Sequence, residues 1–331
     1  MPTFLTTRKM SPALAARVEA SVRGRRSSTE TSPRTPLVVA CVRLGLISLA
    51  VASMALVVSK IRRDRAQLER ARFALIAEVS AQSASLTEDD TKITERLEPW
   101  LFRLAAATYE GDLIADELRS PGAASVTLAR PSVYLRGPID TLTSSKGIEG
   151  AASDSVKDAF LLCLVDPPDS RAEKPLLAKA RAAYSKQLEA LTPNVRRLHD
   201  AQIALPVLDA EFQERIRTAP DLTHIDLLRQ VFEAAPVERG KRAAKAELLI
   251  ALMDETGAAT APTELDGERA HDVRIALIDL PASKLLLRLR RHVDPSWIAA
   301  VTRPTFARGV DSCALGLDVH NSIVLPTKTS D

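Results

Sequence analysis

The sequence predicts an α+β protein: a single transmembrane helix and a helical stalk, followed by a mixed domain with an antiparallel sheet packed by several helices. Three observations predict this architecture in the 331-residue chain. Residues 36–59 form an apolar run that contains a single charged residue, Arg43. Ile61, Leu68 and Leu75 then recur at seven-residue intervals. Beyond residue 120, short apolar runs are mixed with amphipathic segments.

The apolar run 36–59 is long enough, as a helix, to cross a hydrocarbon core of roughly 30 Å. Arg43 lies close enough to one end to extend its guanidinium group to the lipid headgroups, and Lys60, Arg62 and Arg63 follow the other end. A signal peptide would place a cleavage site of small residues after the run, and a core helix of a soluble domain is seldom apolar on all faces for this length. A retained membrane anchor is therefore predicted.

The basic residues around the anchor bear on its orientation. Residues 1–35 are rich in Ser, Thr, Pro and Arg and are predicted to be a flexible cytoplasmic tail. The local count of Lys and Arg slightly favours the opposite orientation, but export of this tail would carry seven basic residues across the membrane without a signal of its own. We therefore expect an inner-membrane protein with an extracytoplasmic C-terminal domain. In the reverse orientation it would be a membrane-tethered cytosolic adaptor.

Small residues lie on one face of the predicted anchor, at Ser48, Ala52, Ala55 and Ser59. Such faces allow two transmembrane helices to approach closely, so they suggest a homo-oligomer formed through the anchor. An Ala-rich chain also produces such faces by chance, and both readings stay open.

Residues 60–120 are predicted to be a helical juxtamembrane stalk and packing helices. The seven-residue repeat extends the stalk to about Ser83, and a second helix is expected around Trp100, with Pro99 in its first turn. Residues 120–122, Ser-Pro-Gly, end this region.

The α+β domain is predicted to cover residues 121–325, with a frayed tail at 326–331. Residues 125–128, 132–136 and 160–165 are predicted strands, the last one central and buried on both faces, and residues 140–157 are predicted to be a loop. Residues 273–279 and 285–290 alternate and are predicted to form an antiparallel hairpin across the Pro281–Ala282–Ser283 connection. Helices are expected within 171–256, including a long one over 237–256.

The cysteine content allows one disulfide in the soluble region. Of the three cysteines, Cys41 lies in the apolar run, whereas Cys163 and Cys313 are far apart in the domain. These two could pair in an extracytoplasmic compartment, or they could be unpaired buried thiols. Cys163 is a poor candidate nucleophile because its apolar neighbours would raise the thiol pKa.

Charge and composition exclude some partners. The net charge of +3 comes from basic residues before position 73, and only 4% of residues are aromatic. No basic groove or stacking platform for nucleic acid is implied. The densest basic cluster outside the anchor is Arg288, Arg290 and Arg291, which could bind an acidic partner or simply form a solvated face.

The usual short motifs of catalysis, cofactor binding and metal binding are missing from the sequence. It contains no Walker loop, G-x-G-x-x-G, G-x-S-x-G, C-x-x-C or H-E-x-x-H pattern. His271 with Asp272 is among the closest approaches to a ligand pair, and a satisfied histidine explains it better. No catalytic residue, cofactor site or metal ligand is predicted.

The function predicted from the sequence is a membrane-anchored, non-catalytic binding or scaffold protein of the bacterial cell envelope. Its expected partners are the lipid bilayer and another envelope protein. The alternative is an envelope hydrolase without a short motif, which would require a deep pocket with convergent polar groups and perturbed carboxylates.

Overall fold

The computed structural model describes residues 35–106, 108–120, 122–155, 158–185, 188–255 and 269–324. The chain divides into two compact units, Met1–Gln67 and Leu68–Asp331. The predicted cytoplasmic tail, except Thr35, and the predicted frayed tail at 326–331 lie outside the described residues.

The first helix, α1, extends over Thr35–Ser83. Within the described ranges, Leu44–Ser83 is the one stretch of helix that is long and apolar enough to cross a membrane, judged by length and composition. Its large apolar side chains from Leu44 to Ile61 are exposed to solvent. A soluble unit does not normally expose so continuous an apolar surface.

The end of α1, within the predicted stalk, belongs to the second unit and is packed against other helices of that unit. Leu75 and Val79 are fully buried against Phe212 and Ile216, in a cluster with residues of the segment that follows Ala219. The seven-residue repeat therefore reflects packing within the unit. The helix nevertheless ends at Ser83, as the repeat predicts.

The remaining elements alternate in class along the second unit. The helices are α2 Glu88–Thr91, α3 Ile93–Leu104, α4 Asp116–Arg119, α5 Ala123–Leu128, α6 Ser145–Asp154, α7 Ala159–Val165, α8 Glu173–Ala183, α9 Leu188–Leu191, α10 Leu198–Ala204, α11 Ala210–Thr218, α12 Leu222–Ala234, α13 Val237–Ala244 and α14 Arg303–Val324. The strands are β1 Leu113–Ile114, β2 Ser132–Pro138, β3 Val195–Arg197, β4 Leu248–Glu255, β5 His271–Asp279 and β6 Lys284–Val293. Three short 3₁₀ helices are Thr141–Thr143, Leu205–Val207 and Pro295–Trp297.

The six strands form one sheet in the order β1-β6-β5-β4-β2-β3. Strands β3, β2 and β4 are parallel, whereas β4, β5, β6 and β1 are antiparallel. The sheet is therefore mixed, and the prediction of an antiparallel sheet was wrong for its β2, β3 and β4 half. The predicted β5–β6 hairpin is confirmed.

Helices cover both faces of this sheet. One face packs against α3, α6 and α10, and the other against α5, α7 and α14. A further layer is formed by α8, which packs on α7 and α14. Burial on both faces explains why β4 is apolar at consecutive positions, as parallel strands commonly are.

Two predicted strands are helices. The segment 125–128 belongs to α5, and the apolar run 160–165 belongs to α7. Asp158 caps α7 by accepting a hydrogen bond from the Phe160 amide at 3.1 Å. A continuous apolar run fits a buried helix and a buried strand equally well, so periodicity could not separate them.

Two further segments also differ from the prediction. The long helix expected over 237–256 ends at Ala244, and its second half is β4. Leu, Ala and Met favour helices, but pairing with β2 and β5 on both sides of β4 overrides that preference. The predicted loop 140–157 contains α6, whose amino terminus is capped by the Ser144 side chain.

Candidate functional site

A buried polar cluster lies at the carboxyl ends of the parallel strands β2 and β4. It contains Arg136 near the end of β2 and Asp254 near the end of β4, with side chains 5% and 13% exposed. In the sheet register, Asp254 is opposite Pro138, two residues beyond Arg136, so both side chains are on the same face. Open α/β sheets commonly bind ligands at this edge, which makes the cluster a candidate site.

The guanidinium group of Arg136 is held by three elements. Its Nε and Nη2 donate to the Asp254 carboxylate at 2.9–3.3 Å, and its Nη1 donates to Ser312 Oγ at 2.7 Å and to Asp158 Oδ2 at 3.4 Å. The Ser155 hydroxyl accepts from the Arg136 amide and donates to the Arg136 carbonyl, both at 2.8 Å. Arg136 therefore connects β2 to β4, α7 and α14.

His271, at the start of β5, completes the cluster. Its Nδ1 is 2.6 Å from the Arg269 carbonyl, and its Nε2 is 3.2 Å from Asp254 Oδ1. A carbonyl and an ionised carboxylate can only accept, so the imidazole satisfies both when each ring nitrogen carries a proton. Arg136 and His271 thus lie with two carboxylates, Asp254 and Asp158.

Two carboxylates of this region have shifted pKa values, in opposite directions. Burial alone would raise the pKa of Asp254, but Arg136 and His271 hold it well below its usual range. Burial raises the pKa of Asp311 to about 6, partly offset by the Trp297 indole, which donates to its Oδ1 at 3.0 Å. Asp294 raises this pKa slightly further, whereas His271 and Arg171 lower it slightly. Asp311 Oδ2 is buried and has no hydrogen-bond partner among the described residues.

The chemistry available to the cluster is limited by its own contacts. Asp254 is already ionised and paired, so it is a weak general base near neutral pH. Neither of the two cavities described for the second unit is lined by a residue of the cluster. The arrangement is therefore best suited to joining strands and helices.

A second candidate site is the arginine cleft, which we define by its lining residues. It is a cavity of about 480 Å³ lined by Pro193, Val195, Arg196, Arg197, Asp200, Arg239 and Arg242. Arg196 and Arg197 end the edge strand β3, Asp200 lies on α10, and Arg239 and Arg242 lie on α13. Among the described residues, four guanidinium groups and one carboxylate thus line this cavity.

Gly240 makes the arginine cleft sterically feasible. A Cβ atom at this position would be 2.2 Å from Ala204 Cβ and 2.6 Å from the Asp200 carbonyl oxygen. Glycine therefore allows α13 to cross α10 at close range, which brings Arg239 and Arg242 beside the end of β3.

The guanidinium groups of the cleft differ in their partners. Arg239 is 3.5 Å from Asp200 Oδ2. Arg196 donates to the Pro193 carbonyl. Arg197 Nη2 is 3.5 Å from the Ser153 carbonyl, while its Nε is buried and has no partner in the described part of the chain. A buried N–H without a partner costs about 1–3 kcal/mol.

The disulfide that the sequence allows is present in the structure. Cys163 of α7 and Cys313 of α14 form a disulfide, with Cα atoms 5.1 Å apart, and both residues are fully buried. The bond lies next to Ser312 and thus beside the polar cluster. Gly316 lets the same two helices approach closely, because a Cβ there would be 2.5 Å from the Phe160 carbonyl oxygen.

The predicted basic cluster on β6 is paired within the second unit. Arg288 bonds Glu110 and the Gly111 carbonyl. Arg291 pairs with Asp112 at 2.6 Å. Arg290 pairs with Asp272 at 2.9 Å and with Glu255. These carboxylates neutralise the guanidinium groups, and the prediction that the cluster binds an acidic partner stays a prediction.

The predicted membrane-interface residues lie in the first unit. Lys60, Arg62 and Arg63 are exposed on α1, directly after the apolar stretch. The side chain of Arg43 lies outside the described part. Their contact with lipid headgroups stays a prediction.

No short sequence pattern predicts Arg136, Asp254 or the arginine cleft. His271 is next to Asp272 in the sequence, but adjacent strand residues point to opposite faces, and His271 contacts Asp254 instead. Among the described residues, no group of three His, Cys, Asp or Glu side chains is arranged to hold a metal ion.

Comparisons with known proteins found no similarity that indicates a function. No family model matches the chain, and neither a curated protein nor a solved structure matches it.

Proposed function

We propose that this chain is a membrane-anchored, non-catalytic binding protein of the bacterial cell envelope, with its amino terminus in the cytoplasm. The observation that carries the proposal is the exposed apolar surface of α1 from Leu44 to Ile61. The hydroxyls of Ser53 and Ser59 in this stretch donate to carbonyls of their own helix, at 2.8 and 3.0 Å, as a helix in hydrocarbon requires.

The Cys163–Cys313 disulfide supports an extracytoplasmic location for the second unit. Disulfides persist in oxidising compartments and are rare in the cytosol. The reverse orientation would place this bond in a reducing environment and make the chain a tethered cytosolic adaptor. The role proposed here includes lipid and an envelope protein as partners, and self-association through the small face of the anchor.

The paired state of the polar cluster supports a binding role over catalysis. A catalytic base or nucleophile needs a free functional group facing substrate, whereas Arg136 and Asp254 hold each other. One observation favours a hydrolase instead, namely the Asp311 carboxyl with a pKa of about 6. If the chain hydrolyses generic ester, peptide or glycoside substrates and the Asp311→Asn variant does not, the hydrolase is supported and the binding role is contradicted.

The anchor is tested by fractionation of cells that express the full-length chain. We expect it to stay with membranes after washing at high salt and to be released by detergent. Leu49→Arg combined with Met54→Arg should release it, because each arginine costs about 3 kcal/mol at the centre of a membrane helix. Phe73→Arg is the matched control, since Phe73 is exposed but lies outside the predicted span.

The orientation is tested with a C-terminal reporter that is active on only one side of the membrane. We expect activity outside the cytosol. We also expect Cys163 and Cys313 to resist maleimide labelling in the denatured protein until reductant is added. Cytosolic reporter activity with freely labelled cysteines would contradict the proposed orientation, and recovery of the intact chain in a detergent-free soluble extract would contradict the anchor.

A further inference from the structure

The arginine cleft has the charge of an anion-binding site. Among the described residues, its lining carries four guanidinium groups and one carboxylate. Asp200 is shared with a single arginine, Arg239, at the long distance of 3.5 Å. By contrast, each arginine of the β6 cluster has its own carboxylate partner. Among the described residues, no carboxylate forms an ion pair with Arg197 or Arg242, so the charge of these two groups is left without a counter-charge there.

The Arg242 guanidinium group remains available to a ligand. Arg242 is exposed, and no carboxylate within the described ranges forms an ion pair with it. A planar guanidinium group presents its N–H donors as a fork that matches the oxygens of a phosphate. Two elements, β3 and α13, therefore direct such forks toward one cavity.

The size of the cleft also fits a small ligand. The cleft extends along the edge strand β3, from Pro193 before the strand to Arg197 at its end. The volume of about 480 Å³ lies within the range of about 300–1,000 Å³ that small-molecule sites have.

From these observations we infer that the arginine cleft binds phosphate-bearing small molecules. A phosphate group carries up to two negative charges and has several acceptor oxygens, so it can bind more than one guanidinium group. A single carboxylate has less charge and fewer acceptor oxygens. This inference names a ligand class for the binding role proposed above and rests on it. It does not require the membrane anchor.

The test uses the full-length chain purified in detergent, with binding measured by titration calorimetry. The probes are pyrophosphate, as a free anion, and dihexanoyl phosphatidic acid, as a soluble lipid headgroup, with citrate as a carboxylate of comparable charge. We expect saturable binding of a phosphate probe below about 1 mM, weakened by added salt. The tighter of the two phosphate probes identifies whether the source is free phosphate or a lipid.

The key variant is Arg242→Gln, because this exposed side chain can be changed without disturbing the core. We expect a loss of affinity of about tenfold or more, and Arg242→Lys should recover only part of it because an ammonium group lacks the fork. The matched control is Arg119→Gln, an exposed arginine at the end of α4 that should leave affinity unchanged. Unchanged unfolding midpoints verify that both variants fold.

Three results would overturn the inference. They are no saturable binding of either phosphate probe up to about 10 mM, equal loss of affinity in Arg242→Gln and Arg119→Gln, or citrate binding as tightly as pyrophosphate. None of these bears on the membrane fractionation, so the anchor and the ligand class can fail separately.

Discussion

Arg136 and the arginine cleft both lie at the parallel part of the sheet, and they differ in what surrounds each guanidinium group. Arg136 is buried, and Asp254, Asp158 and Ser312 accept hydrogen bonds from it. Among the described residues of the arginine cleft, four guanidinium groups border a cavity whose one carboxylate, Asp200, is 3.5 Å from Arg239 alone.

The difference shows that the number of protein groups paired with an arginine distinguishes a structural arginine from a ligand-binding one. Removing the partner of a fully paired buried charge is costly, and such a charged group has no free donor for a ligand. A charge at an incompletely paired surface contributes little to stability and keeps its donors for a ligand. Changes in the polar cluster should therefore alter unfolding, whereas changes in the cleft should alter binding.

The largest expected effect is that of Asp254→Asn on stability. The substitution leaves Arg136 and His271 buried without their anionic partner, so the free energy of unfolding should fall by about 3–5 kcal/mol. Denaturant titration of the full-length chain measures this loss. Affinity for pyrophosphate should be unchanged in the protein that remains folded, because Asp254 does not line the cleft.

Two further variants serve as controls for Asp254→Asn. Asp272→Asn, in the same sheet but one-third exposed, should cost less than about 1 kcal/mol. Arg136→Met combined with Asp254→Leu should cost less than Asp254→Asn alone, since it removes both charges. If Asp254→Asn lowers the free energy of unfolding as little as Asp272→Asn does, the Arg136–Asp254 pair does not stabilise the fold.

The next largest effect is expected from the disulfide beside the cluster. Cys163→Ala with Cys313→Ala should lower the free energy of unfolding by about 2–5 kcal/mol, because the bond closes a loop with a sequence separation of 150. Alanine avoids burying a hydroxyl group without a partner. Reductant should lower wild-type stability to that of the double variant and leave the variant unchanged. Equal stability of wild type with and without reductant would contradict this.

Local signals were sufficient for part of the fold. The β5–β6 hairpin follows from alternation and a short connection, and α1 follows from an uninterrupted apolar run. Local signals were insufficient where a segment is buried on all sides, as in α7 and β4, because both are continuous apolar runs. The Asp158 cap favours a helix for the apolar run of α7, and pairing with β2 and β5 favours a strand for that of β4.

The two candidate sites were beyond sequence reasoning for a different reason. Arg136 and Asp254 are 118 residues apart, and only the parallel pairing of β2 with β4 brings them together. In the cleft, Arg239 and Arg242 share a helix face at a spacing of three, which the sequence does display. Their approach to Arg196 depends on a crossing of two helices that no short pattern encodes.

A smaller effect is expected from pH, through Asp311. Its pKa in the folded protein is about 6, above the ordinary value of 3.8, so the protonated form stabilises the fold. That contribution is fully present below about pH 4 and is lost as pH rises through about 6. Asp311→Asn removes the dependence while keeping an acceptor for the Trp297 indole. The variant should be more stable than wild type by about 2–3 kcal/mol at pH 7 and equal to it at pH 4.

Denaturant titrations of wild type and Asp311→Asn at pH 4, 5, 6, 7 and 8 measure this difference. If the difference in free energy of unfolding between the two proteins is the same at every pH, the substitution acts through packing.

The smallest expected change in stability is that of Gly240→Ala, which tests how the cleft is built. The added Cβ would collide with Ala204 and with the Asp200 carbonyl and should force α13 away from α10. Overpacking costs about 1–3 kcal/mol, and the higher helix propensity of alanine returns up to about 1, so a net loss of about 1–2 kcal/mol is expected. Gly150→Ala is the matched control, because a Cβ there meets nothing within 4 Å; it should stabilise the protein slightly. Pyrophosphate affinity should fall in Gly240→Ala alone, and retention of affinity despite the lost stability would mean that the position of α13 does not define the site.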